Sequence, residues 1–187
     1  REIGIQPDVL LCRTEKNLSQ SIKNKIALFC SVDAKSVITA RDVNSIYEVP
    51  LSFEEEGLAE IILEKLCMKV KQPDLGRWER INKVLKNPAG EVKIGIVGKY
   101  VDLKESYKSL TEALIHGGIG NKVTVKINWV DAEALEEEKG LKQLAGCDGV
   151  LVPGGFGDRG IEGKINAVKY AREKKVPYFG ICLGMHC

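Results

Sequence analysis

From Gly90 onward the sequence follows one pattern: short apolar runs, most of them closed by glycine, separated by stretches of helical spacing. The runs are Val92-Lys-Ile-Gly-Ile-Val-Gly98, the alternating residues 123–130, Gly149-Val-Leu-Val-Pro153 and Pro177-Tyr-Phe-Gly-Ile181. Residues 106–116, 132–145 and 161–175 lie between them with apolar residues at helical intervals. Strands and helices alternating over short turns predict a parallel sheet covered on both faces, which binds its ligands at the carboxyl ends of the strands. The expected inner faces are Leu110, Ala113 and Leu114 on the first helix and Ile165, Val168 and Ala171 on the third. Gly117-Gly118 is expected to stop the first helix, and 132–145 to be one acidic helix.

The earlier part reads less regularly. Residues 8–13 and 37–39 are β-branched or apolar runs that predict strands. Residues 19–29 have helical spacing, with Ser19 or Ser21 as cap. Residues 45–50 read as extended and stopped by Pro50, and 54–69 as a single helix through Leu58, Ile61, Ile62 and Leu66. Between 69 and 90 the composition shifts to Pro73, Gly76, Pro88 and Gly90 around a charged helix, 78–86, which reads as a solvated linker face. The reading is therefore two domains, 1–72 and 91–187, joined by a linker at 73–90. A length of 187 residues allows one large domain or two small ones, and the composition shift favours two.

Lys plus Arg number 28 against 26 Asp plus Glu, a net charge of +2 that excludes a general polyanion binder and leaves no reason to expect a nucleic-acid polymer as partner. No apolar run approaches the roughly 18 residues of a membrane span, and no leader pattern precedes the first strand. Six cysteines occur without any Cys-x-x-Cys pair and with only two histidines, so a zinc cluster is not expected. Cys12, Cys30 and Cys147 sit in apolar contexts and read as core thiols in a reducing, cytoplasmic setting. The chain opens on Arg1 and closes on Cys187 in mid-pattern, which reads as an internal segment of a longer protein.

Two features fall at strand ends. Gly180-Ile181-Cys182-Leu183-Gly184 is the strand-to-helix turn of a nucleophile elbow, with Cys182 exposed and activated by the helix start that follows. The plainer alternative is a buried cysteine in a glycine-rich turn. Pro153-Gly154-Gly155-Phe156-Gly157 can aim backbone N–H groups at one point, as an oxyanion hole requires. Here the alternatives are a phosphate-cradling loop or an ordinary turn, and the loop lacks the Gly-Lys-Ser/Thr ending of a phosphate P-loop. Together the two features point to acyl transfer at a cysteine. Such a cysteine needs a base. His186, four residues on, is carried away from an elbow nucleophile, and His116 reads as a helix-end residue.

On these residues the end of the chain resembles the class I glutamine amidotransferases. Gly4-Ile-Gln-Pro-Asp-Val-Leu-Leu-Cys-Arg13, Lys25-Ile-Ala-Leu-Phe-Cys30, Asp42-Val-Asn-Ser-Ile-Tyr47, Gly95-Ile-Val-Gly-Lys-Tyr100, Val152-Pro-Gly-Gly-Phe-Gly157 and Gly180-Ile-Cys-Leu-Gly-Met185 make the whole chain similar to the CTP synthase family. The resemblance implies an α/β fold of two parallel-sheet domains: part of a P-loop, Rossmann-like synthetase (amidoligase) domain, and part of a flavodoxin-like amidotransferase domain. It implies Cys182 as nucleophile, Gly155 and Leu183 as oxyanion hole, and Gly155, Leu183, Gly184, Met185 and His186 as glutamine contacts. At His186 the sequence departs from the glutamine usual in the family, which changes reach and charge state.

In the first domain the resemblance implies Lys25 at the UTP or CTP triphosphate, Arg41, Asp42 and Val43 at ATP, and Arg13 facing the same cleft. Lys99, Lys108, Glu112, Phe156 and Arg159 match positions tied to GTP or to communication between domains. The implied activity is ATP- and Mg²⁺-dependent amination of UTP to CTP with ammonia from glutamine. A homotetramer is implied, with GTP as activator and CTP as inhibitor. The phosphate loop, the Mg²⁺ ligands and the triad His and Glu would lie outside these residues, so no metal site is expected within them and this chain alone is expected to be inactive. Two other readings stand beside it: another class I amidotransferase or related cysteine hydrolase, and a non-catalytic nucleotide-sensing or assembly module.

Overall fold

Two parallel sheets carry the fold, one in each of two units that divide between Lys83 and Val84. The structure is a computed structural model and describes residues 4–69, 71, 73–99, 101, 104–155 and 157–187.

In the first unit β1 (Leu10–Thr14) pairs in parallel with β2 (Val37–Arg41), Leu10 opposite Val37 and Thr14 opposite Arg41. Helix α1 (Gln20–Cys30) connects them; Ser19 caps it by accepting a hydrogen bond from the Ile22 N–H. Ile38, Leu58 and Ile61 form the core, with Val9 and Phe53 packed on it. Residues 45–50 are not extended. A 3-10 turn, Ile46–Glu48, runs into α2 (Val49–Glu55) with Pro50 in the first turn, where its missing N–H has no helical partner to lose. The expected helix 54–69 is instead the end of α2 and α3 (Leu58–Lys65), broken at Gly57 with φ +72°. The break lets α3 bury Leu58 and Ile61 while Leu66 stays 61% exposed.

Helix α4 (Gly76–Lys86) is not solvated all round. Trp78 and Asn82 lie one turn apart; the Trp78 ring sits 6.4 Å from that of Tyr47, and buried Asn82 Nδ2 donates to the Tyr47 and Trp78 carbonyls at 2.7 and 3.0 Å. Residues up to Lys83 therefore pack with the first unit rather than forming a free linker.

The second unit orders its strands β4-β3-β5-β6, all parallel: β3 (Gly90–Gly98), β4 (Val123–Asp131), β5 (Gly149–Val152) and β6 (Tyr178–Gly180). Val97, Val130, Val150 and Val152 meet Leu135, Leu144, Ala167 and Ala171 in its core. Helix α5 (Lys108–Asn121) runs through Gly117-Gly118 instead of stopping there. The reason is packing: a Cβ on buried Gly118 would stand 2.8 Å from the Val123 carbonyl oxygen, so the glycine marks close contact with β4. Ala113, expected inside, is exposed.

Residues 132–145 form two 3-10 turns, Glu133–Leu135 and Glu138–Leu144, not one helix. That path buries Leu135 and Leu144 together and brings Gly140 so near Ala134 that a side chain has no room. Helix α6 (Ile161–Lys174) turns Gly163, Lys164, Ala167 and Ala171 inward, while Ile165, expected inside, is 39% exposed. Cys147 is buried, whereas Cys12 and Cys30 are only half-buried. Burial, with the neighbouring Cys30, pushes the Cys12 thiol up against a smaller opposing pull from Lys23. Among the described residues no helix is long and apolar enough to cross a membrane.

Candidate active site

Strands β5 and β6 end side by side, Val152 opposite Gly180, with the Ile181 N–H donating to the Val152 carbonyl at 2.9 Å. The chain leaving β5 becomes the 153–157 loop, and the chain leaving β6 turns at Cys182 into α7 (Leu183–His186). Cys182 adopts φ 52° and ψ −117°, a conformation that L-residues with side chains rarely hold. Its side chain is exposed.

Sterics explain the flanking glycines. A Cβ at Gly180 would stand 2.2 Å from the Gly184 oxygen, and one at Gly184 would stand 2.0 Å from the Val152 oxygen. The Tyr178 hydroxyl donates to the Gly184 carbonyl and ties the turn to β6. Gly154 lies directly against Cys182, for a Cβ there would be 3.1 Å from Cys182 Cβ and 3.6 Å from its Sγ.

Gly155, Gly157, Asp158, Ile161, Cys182, Leu183 and His186 line a cleft of about 290 Å³. The N–H groups of Gly155 and Leu183 have no acceptor among the described residues. The cleft thus offers a thiol and two unused backbone donors, the parts an oxyanion-stabilised attack on an amide carbonyl needs. Gly184 is buried behind it, Met185 is exposed and outside the lining, and His186 lines the cleft without a hydrogen bond to Cys182.

Buried Lys99, at the end of β3, donates from Nζ to the Gly157 carbonyl at 2.5 Å. Arg159 Nη2 donates to the Lys99 carbonyl at 2.9 Å and its Nε pairs with Glu133 at 2.5 Å. The structure thus joins Lys99 and Arg159 beside the glycine loop. Lys108, exposed at the start of α5, and half-buried Glu112 one turn on do not line the cleft. Phe156 lies outside the described residues.

One group escaped the sequence reading. Lys164 on α6 is fully buried, and its Nζ has no hydrogen-bond partner. A Cβ on Gly155 would stand 3.5 Å from that nitrogen. Burial first, then the Lys99 charge, push the Lys164 ammonium below its ordinary range, against the opposite pull of Cys187 and Cys182. The available signal was its spacing with Ala167 and Ala171, which places it on the inner face of α6.

In the first unit a separate cleft of about 420 Å³ is lined by Arg13, Arg41, Asp42 and Val43 together with Leu11, Ile46 and Phe53. Arg13 Nε pairs with Asp42 at 2.8 Å. Lys25 stands exposed on α1 and does not line this cleft. No three His, Cys, Asp or Glu side chains among the described residues are placed to hold a metal ion.

Comparison with known proteins matches residues 1–68 to the family described as CTP synthase N-terminus and residues 102–187 to glutamine amidotransferase class-I. A CTP synthase of Maridesulfovibrio salexigens is 60% identical over 187 residues, all of this chain and 34% of the relative. One of Oleidesulfovibrio alaskensis is 58% identical over the same span, again 34% of its length. The chain therefore spans about a third of the length of the curated relatives it matches. Among solved structures, the glutaminase domain of Trypanosoma brucei CTPS with bound acivicin is similar at 44% identity and TM-score 0.47, over 50% of this chain and 37% of that one. With one family model on each sheet unit and high identity running unbroken through both, the chain belongs to the CTP synthase family.

Proposed function

We propose that this chain carries the nucleophile half of a glutamine-hydrolysing site that supplies ammonia for ATP-dependent conversion of UTP to CTP. Cys182 Sγ attacks the side-chain amide carbon of glutamine. The N–H groups of Gly155 and Leu183 receive the charge that develops on the amide oxygen, and each such donor is worth roughly 10²–10³ in rate. Ammonia departs with a proton, and water then cleaves the thioester to glutamate. The arrangement that carries this reading is exposed, strained Cys182 sharing one cleft with two unused backbone donors.

The cleft at Arg13, Arg41, Asp42 and Val43 is read as the ATP-facing part of the synthetase unit, and Lys25 as a triphosphate contact. The donor set here does not suit Mg²⁺, so no step is assigned to that ion within this chain. GTP activation through the Lys99–Arg159 group, CTP inhibition, a homotetramer and a cytoplasmic setting complete the proposal by family likeness. His186 makes no hydrogen bond to Cys182, so turnover by the 187-residue chain alone is expected to stay at background.

The test splices these residues into the frame of the Maridesulfovibrio salexigens relative. Cys182→Ala should abolish glutamate release from glutamine, by at least about 10³-fold, while CTP formation from added ammonium persists. Glutamate release that survives the substitution overturns the assignment.

A further inference from the structure

Lys164 occupies the first turn of α6 and is fully buried with an unpartnered amine. A buried ammonium without a partner is costly, so its place needs a reason. What separates it from Cys182 is the Gly154-Gly155 turn. Gly155 lies against Lys164 Nζ, with 3.5 Å to a built Cβ; Gly154 lies against Cys182, with 3.6 Å from a built Cβ to Sγ. The amine and the thiol therefore flank two successive glycines without touching each other.

The charges around Lys164 are few. Lys99 repels it, and Lys99 Nζ is committed to the Gly157 carbonyl. Arg159 and Glu133, the latter on the 3-10 turn packed against α6, neutralise each other. Tyr178 on β6 is tied to Gly184, and Asp158 lines the cleft while Glu162 is exposed on α6 itself. Cys187 and, more weakly, Cys182 are the groups whose negative charge favours a proton on Lys164. A positive charge held behind the glycine pair attracts negative charge that develops on its other side.

We propose that Lys164 is a positioning residue for Cys182: it packs against the Gly154-Gly155 turn and supplies the buried positive charge that balances the Cys182 thiolate. The proton leaving Sγ passes to water, and the ammonium already held on Nζ balances the thiolate that remains. This rests on reading Cys182 as the nucleophile.

The experiment alkylates the 187-residue chain with iodoacetamide between pH 6 and 9 and follows each cysteine by mass spectrometry. Exposed Cys67 serves as reference and buried Cys147 as the folding control. In the unsubstituted chain Cys182 should react faster than Cys67. Lys164→Met should slow Cys182 on the order of tenfold at pH 7 and move its profile to higher pH, with Cys67 unchanged and Cys147 protected. Lys164→Gln, different in shape but equally uncharged, should do the same.

An unmoved Cys182 profile in either folded variant overturns the proposal. Loss of Cys147 protection in both variants overturns it in favour of a purely structural lysine. If Cys182 is no faster than Cys67 before any substitution, the nucleophile reading itself falls and takes this proposal with it.

Discussion

Gly184→Ala is the substitution that most directly probes the elbow. The added Cβ would stand 2.0 Å from the Val152 oxygen, 2.8 Å from its carbonyl carbon and 3.0 Å from its Cβ. Restoring ordinary contact needs about 1.4 Å of movement, and misplacement of about 1 Å already costs on the order of 10²-fold in reaction rate. Val152 is fully buried in the sheet core and cannot give way, so the 182–186 turn must move instead. Overpacking of this kind costs about 1–3 kcal/mol, or roughly 4–8 °C in Tm for each kcal/mol in a unit of this size. Cys182 moves with the turn and leaves its exposed, strained placement, so its alkylation should slow.

The control is Gly117→Ala. Gly117 lies inside α5, and nothing stands within 4 Å of a Cβ there. The same chemical change should stabilise by about 0.5–1 kcal/mol and leave Cys182 alone. Differential scanning fluorimetry with per-cysteine alkylation reads both effects. A Gly184→Ala chain with unchanged Tm and unchanged Cys182 rate would refute the steric account of the elbow.

In the first unit, burial would lift the Glu56 carboxyl, but the Lys23 ammonium at 2.5 Å and the Thr39 N–H at 2.8 Å outweigh it and hold the carboxyl below the usual range. A depressed carboxylate stabilises above its unfolded pKa and loses that stabilisation as pH falls through the folded value; unfolding followed by circular dichroism should steepen below about pH 4, and Glu56→Gln should flatten that slope. In the second unit, Lys164 binds its proton more weakly folded than unfolded, so stability rises with pH toward the ordinary lysine value of 10.5. Lys164→Met should remove that rise and raise Tm at pH 7, consistent with about 1–3 kcal/mol for relieving an unpartnered buried polar group.

The strands were legible because a parallel sheet writes itself as short β-branched runs: Val150, Leu151 and Val152 are all buried, and a run this short between glycines suits a strand better than a helix. The helices were harder, since the spacing that marks a helix says nothing about where its backbone must touch a neighbour. Gly118 looked like a stop and proved to be a contact, because only the fold reveals that β4 passes under it. Gly57 looked like a helical residue and proved to be a break, because α2 and α3 must each turn an apolar face to Ile38. Residues 132–145 have helical composition, yet two leucines nine positions apart must enter one core, which a straight acidic helix would not allow.

The candidate site shows the same division at finer scale. Gly180, Cys182 and Gly184 are readable because backbone clash is a local constraint, and any chain that makes this turn needs small residues at those two places. Lys164 is not readable, because a lysine at a helix start is nearly always solvated, and its burial depends on how closely Gly155 approaches from another segment. The two glycine loops are thus informative in different ways: one marks the tight turn at Cys182 by its own spacing, while the other conceals an amine that matters only once the sheet has aligned β5 with β6. A charge that the fold keeps dry at such a cost, one glycine pair away from a strained thiol, is better explained by what it does to that thiol than by anything it contributes to stability.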